Sequence, residues 1–153
     1  MKTNLYLALM LVLPILAIAQ NKAKSPIKPE PFRLEKLVAE SGLPYRMVHD
    51  SLAVIPYTGE YVKEFDLVVQ KASDLLLIYT NLSAAVSGKL DSTAYPFLLQ
   101  QNHHFDLVKI GMDESQTVFV RADVYLAATN VKLLTRMIKQ VANVTNILGG
   151  SLQ

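Results

Sequence analysis

The sequence predicts an α+β domain in which an antiparallel sheet is flanked by helices, in the order helix, strands, helix, hairpin, helix. Three stretches carry that reading. Thr117–Tyr125 sorts with a period of two, Val118, Val120, Ala122 and Val124 forming an aliphatic face and Thr117, Phe119, Arg121, Asp123 and Tyr125 a mixed one. Leu134, Met137, Ile138, Val141, Val144 and Leu148 recur at helical spacing, opposite Lys132, Arg136, Lys139, Asn143 and Asn146. The run LLLIYTNL, Leu75 to Leu82, is apolar on both faces, as in a central strand covered on both sides, or covered on one and used for contact on the other.

The remaining elements follow from local chemistry. Pro31 sits where a first helical turn tolerates proline, and Leu34, Leu37, Val38 and Ser41 share a face, so Pro31 to Ser41 reads as a helix capped by Gly42. Tyr45 to Val48 and Leu52 to Tyr57 are short strands split by the polar turn His49-Asp50-Ser51. After the break at Thr58-Gly59-Glu60, Phe65 to Lys71 alternates as a third strand, which makes Leu75 to Leu82 the fourth of an antiparallel set. Ser83 to Asp91, small and polar around Gly88, is expected to be a loop. Asp91-Ser92-Thr93 then offers capping side chains to a second helix, on which Ala94, Phe97, Leu98, Gln101 and Phe105 share one side and Pro96 lies in the first turn. Leu107 to Met112 and Thr117 to Tyr125 flank Asp113-Glu114-Ser115-Gln116, a hairpin turn. Thr129 or Asn130 caps the last helix, and Gly149-Gly150 is expected to stop it.

Composition bounds the function. A chain of 153 residues, 51% hydrophobic and 18% charged, has room for one domain with a packed core. The absence of cysteine excludes disulfides, thiolate metal sites, a cysteine nucleophile and a lipid anchor on cysteine. Residues 1–19 carry Lys2, an apolar run from Leu5 to Ile18 interrupted by Pro14, and the ending Ala17-Ile18-Ala19. The run falls short of the roughly 20 apolar residues a membrane span needs, so the segment reads as a secretory signal peptide cleaved before Gln20. Residues 20–30, rich in Lys and Pro, form a linker, and residues 31–150 the single domain. The mature protein is expected to be periplasmic or secreted, with no stable membrane span. Without Lys2, the 15 basic residues become 14 against 13 acidic ones, a net charge of +1 that leaves no footprint for nucleic acid.

The helix-to-strand junction Leu37-Val38-Ala39-Glu40-Ser41-Gly42-Leu43-Pro44-Tyr45 is followed by Leu98-Leu99-Gln100-Gln101-Asn102 late in the second helix. Next come the hairpin segment Lys109-Ile110-Gly111-Met112-Asp113-Glu114 and Arg121-Ala122-Asp123-Val124 ahead of the last helix. In these patterns of apolar spacing and turns the chain resembles the YbjN family and, through a shared fold, the type III secretion chaperone-like domains, over about residues 31 to 148. The resemblance implies a helix-flanked antiparallel sheet that binds another polypeptide or a copy of itself. Secretion chaperones of this fold act in the cytoplasm, often as homodimers cradling an unfolded effector segment, and the predicted export signal sets this chain apart from them.

Candidate chemistry is sparse. His103 and His104 are adjacent, so on a helix they point about 100° apart, whereas a two-histidine helical metal site wants i, i+4 spacing; they read as solvated helix-end residues and no metal or cofactor is expected. Asp113, Glu114 and Asp123 have no partner placed by a recognisable motif, and there is no G-x-S-x-G, phosphate loop or HExxH. Asn81-Leu82-Ser83 and Asn143-Val144-Thr145 match the glycosylation pattern but fall in elements expected to pack. Tyr79, Phe119, Arg121 and Tyr125 are the candidate binding residues, expected on a sheet face that the helices leave open. The predicted function is an exported, non-enzymatic protein-binding module that engages a protein partner or forms a homodimer. A small enzyme with an unrecognised active site and a structural or stress protein of the cell envelope stay open as alternatives.

Overall fold

The structure is a computed structural model that describes residues 32–86, 90 and 92–152; the expected signal peptide, the linker and Pro31 lie outside the described residues. Helix α1 (Leu34–Glu40) leads into β1 (Arg46–His49), β2 (Leu52–Tyr57), β3 (Phe65–Ala72) and β4 (Leu75–Asn81). A short helix α2 (Leu82–Ala85) and helix α3 (Ala94–Gln101) precede β5 (Lys109–Met112) and β6 (Val118–Tyr125). A 3-10 turn over Leu126–Ala128 then leads to α4 (Val131–Ser151). The α+β expectation holds: one six-stranded sheet, ordered β1-β2-β3-β4-β6-β5, is antiparallel throughout.

Alternation along the strands decides which face is covered. Ala53 and Ile55, Leu67 and Val69, Leu76 and Ile78, and Val118, Val120, Ala122 and Val124 are all buried on one face. Against that face lies α4 through Leu134, Met137, Ile138, Val141, Val144 and Leu148, the stripe read from its periodicity. Helix α1 adds Leu34 and Val38 and packs on α4 and β2, and α3 adds Leu98 beside β5. The two buried threonines are satisfied locally: Thr80 Oγ1 donates to the Asp66 carbonyl at 2.7 Å and Thr145 Oγ1 to the Val141 carbonyl at 2.7 Å.

Local chemistry explains where the elements begin and end. Gly42 closes α1 in the left-handed region at φ +71°, which a side chain would resist. The Asn130 side chain, one of the two expected caps, accepts from the Leu133 amide at 3.0 Å and caps α4. In the β5–β6 turn, Asp113 Oδ1 accepts from the Ser115 amide at 2.9 Å, the Thr117 amide at 2.9 Å and the Ser115 hydroxyl at 2.6 Å. The Ser115 hydroxyl, followed by the Thr117 amide, holds the Asp113 carboxyl below its ordinary pKa.

Four expectations are corrected. Helix α1 begins at Leu34 and ends at Glu40, inside the predicted span. The predicted loop after Ser83 instead starts inside α2, because the Asn81 side chain accepts from the Ala84 amide at 2.9 Å and caps a helical turn directly off β4. Helix α3 ends at Gln101, which leaves Phe105 in the connection to β5. Helix α4 does not stop at Gly149-Gly150 but runs to Ser151. These glycines serve close approach: a Cβ on Gly149 would collide with the Val62 side chain, and one on Gly150 would lie 2.6 Å from Cγ of Tyr61. Asn146, placed by periodicity on the polar face of α4, ties that same loop down. Its Oδ1 accepts from the Tyr61 amide at 2.9 Å and the Val62 amide at 3.1 Å.

Candidate protein-binding face

Helices α1, α3 and α4 meet the sheet from the side of the buried valines and leucines, and the opposite face stands open to them among the described residues. Antiparallel register assembles that face in rows. One row crosses the entire sheet: Arg46 opposite Val54, Val54 opposite Val68, Val68 opposite Tyr79, Tyr79 opposite Arg121 and Arg121 opposite Lys109. A neighbouring row joins Leu52, Gln70, Leu77 and Asp123, and Leu75 pairs with Tyr125 beyond it.

The four residues singled out in the sequence share this face. Tyr79 and Arg121 are registered neighbours, and Phe119 and Tyr125 follow along β6 at even spacing from Arg121. Helix α1 packs on β2 and α4, away from these residues of β4 and β6. The Arg121 guanidinium lies 5.3 Å from the centre of the Phe119 ring on one side. On the other its Nε is 2.9 Å from Asp123 Oδ1, while Nη2 donates to Oδ2 at 3.3 Å. Lys109 Nζ approaches the same carboxylate at 3.8 Å. Such half-exposed pairs contribute about 0–1 kcal/mol, so their effect is to fix the side chains in place rather than to hold the fold. Tyr79 donates its hydroxyl to Gln70 Oε1 at 3.2 Å, and Tyr125, 65% exposed, lies in register with Leu75. The resulting surface is apolar and aromatic with a neutralised arginine at its centre, the composition favoured in the middle of protein interfaces.

At one end the face continues into a groove of about 730 Å³ lined by Pro56, Glu64, Asp66, Tyr79, Asn81 and Ala84 among others. Periodicity could have placed Val68, Gln70 and Leu77 on the open face, since each alternates with a buried neighbour. The groove could not be read that way, because it depends on which strands become neighbours. His103 and His104 are exposed, with ring centres 6.1 Å apart, and no group of three or more His, Asp or Glu side chains able to hold a metal occurs among the described residues. His104 lines a shallow surface with Leu99, Gln100, Asn102 and His103, separate from Arg121 and Asp123. The Asp113 carboxylate is spent on its own turn. No described helix is long and apolar enough to cross a membrane.

The sheet has two edges. β1 carries an irregularity between Met47 and His49. On β5, the Asn102 side chain that follows α3 pairs with the backbone: its Oδ1 accepts from the Ile110 amide at 2.7 Å, and its Nδ2 donates to the Ile110 carbonyl at 3.0 Å. Sequence reasoning missed this contact, because an asparagine ending a helix gives no sign of a partner eight residues on.

No protein-family model matches the chain, and no curated protein is similar to it in sequence. Solved structures are similar in fold. The heterodimeric complex ExoU–SpcU from the type III secretion system of Pseudomonas aeruginosa contains a chain 20% identical to this one, with a TM-score of 0.55 over 78% of this chain and 98% of that one. YbjN of E. coli is 10% identical with a TM-score of 0.51, covering 77% of this chain and 86% of its own. A chain of the ExsC–ExsE complex is 16% identical with a TM-score of 0.51, covering 76% and 88%. The chain thus has the fold of YbjN and of the type III secretion chaperones, an open antiparallel sheet backed by helices on one side.

Proposed function

We propose that this chain is an exported, non-enzymatic protein-binding module that engages a protein partner, or a second copy of itself, through the open face around Tyr79, Phe119, Arg121 and Tyr125. The observation that carries the reading is a six-stranded sheet with one face packed under α4 and the other left uncovered, aromatic and aliphatic, among the described residues. Two of the solved structures with this fold, ExoU–SpcU and ExsC–ExsE, are protein complexes. Residues 1–19 act as a signal peptide in this reading, which places the domain in the periplasm or outside the cell.

The test is a pull-down from the native cell envelope with the wild-type chain and with Tyr125→Lys, which puts a charge at the most exposed aromatic position of the face. Specific recovery of a protein by the wild type, or a dimer in sedimentation, that is lost in the variant supports the reading. A strict monomer that recovers no partner contradicts it. Amino-terminal analysis of the recovered protein checks export, with a mature chain starting at Gln20 expected.

A further inference from the structure

We propose that the outer edge of β5 is a second docking surface, for an extended polypeptide segment with apolar residues at alternate positions, and that Asn102 holds this edge shut. The proposal builds on the protein-binding reading but concerns a different surface. In an antiparallel ladder the residues of an edge strand alternate between those bonded to the neighbour and those whose amide and carbonyl point outward. Ile110 points outward, and one carboxamide takes both of its groups, at 2.7 and 3.0 Å. Donor and acceptor are thus presented together to a single residue, as by the facing residue of an added strand. The Asn102 side chain occupies the place of a peptide.

Three further observations surround that contact. Leu99 and Met112 are 65% and 50% exposed, and between them and Tyr95 and Gly111 lies an apolar notch of about 60 Å³, sized for a small aliphatic side chain. The connection from Asn102 to β5 holds Leu107 in the left-handed region at φ +65°, 62% exposed, a conformation that costs a non-glycine residue free energy. The other edge, β1, is interrupted between Met47 and His49, which spoils it for regular strand addition. A backbone donor and acceptor beside an apolar notch suits an extended peptide, whose main chain supplies the hydrogen bonds and whose alternate side chains supply the apolar contact.

The probe is a capped heptapeptide of alternating threonine and valine, with the same peptide N-methylated at alternate amides as control, measured by fluorescence anisotropy against the full chain. Freeing two competing hydrogen bonds predicts binding about 10-fold tighter in Asn102→Ala than in wild type. The N-methylated peptide is expected not to bind, and Leu99→Lys added to Asn102→Ala should remove the gain. Equal or weaker binding to a folded Asn102→Ala overturns the proposal, as does equal binding of the methylated peptide. A dimer of Asn102→Ala joined through β5 that takes no peptide overturns the assignment to a partner segment. Should Asn102→Ala fail to fold, the wild type decides by NMR. Saturating peptide should move the Asn102 side-chain amide signals to free positions while the Ile110 amide stays protected, and unmoved Asn102 signals refute the lock. Tyr125→Lys should bind the peptide as wild type does, so failure at this edge and failure of the open face are read separately.

Discussion

Asn146→Ala should be the most informative single change to the fold, because it removes one oxygen that holds a loop more than 80 residues away in sequence. The Oδ1 atom accepts from the Tyr61 amide at 2.9 Å and the Val62 amide at 3.1 Å, and the loop it anchors delivers Val62, 3% exposed, into the core beneath Gly149. The Tyr61 amide bond is exposed, so water can replace it and its loss costs little. The Val62 amide is partly buried and would be left without an acceptor, at about 1–3 kcal/mol. Together the change should cost about 2 kcal/mol. For a domain of this size that corresponds to a fall in Tm of roughly 8 °C. Urea unfolding followed by circular dichroism, read at constant m-value, is the assay. Asn146→Asp retains the acceptor and should lose much less, and Asn143→Ala, exposed on the same helix, should be neutral within about 0.5 kcal/mol. An Asn146→Ala protein within about 0.5 kcal/mol of wild type would refute the argument that this side chain anchors the loop.

Other consequences are more direct. Gly149→Ala must displace the Val62 side chain and should destabilise by about 1–3 kcal/mol although alanine is the better helix former, so a stabilised variant in the same urea assay would return the residue to a helix-stop role. The depressed pKa of Asp113 means that its contribution to stability is fully present above the pKa of the unfolded carboxylate and is lost as pH falls through the folded value. NMR titration should find its carboxyl below the ordinary carboxylate value, and Ser115→Ala, which removes the leading cause, should raise it. Arg121→Ala should leave stability within about 0.5 kcal/mol of wild type in urea unfolding while weakening partner binding, since its ion pair lies on a half-exposed face.

What the sequence made legible was whatever repeats along the chain. The alternation of Val118, Val120, Ala122 and Val124 and the stripe from Leu134 to Leu148 each name a buried face without knowledge of the partner, and the structure buries every one of those residues. The split of β6 also put Phe119, Arg121 and Tyr125 on the other side together, because a strand has only two faces. Adjacency was illegible: nothing local says that β6 inserts between β4 and β5, and that order puts Tyr79 beside Arg121 and joins the rows of the open face. Single-residue contacts were hidden for a related reason. Gly149-Gly150 looks like a helix stop until Val62 and Tyr61 are seen against it, and Asn102 looks like a helix end until Ile110 lies alongside. The short α2 was missed because its cap, Asn81, also ends a strand.

The open face is proposed to receive another protein. A photo-crosslinking residue placed at position 125, on that face, and at position 147, exposed on α4, tests it in the native cell envelope. A protein adduct or a crosslinked dimer is expected from position 125 and none from position 147. Adducts from position 147 alone, or none from either with the purified chain a strict monomer, would contradict it.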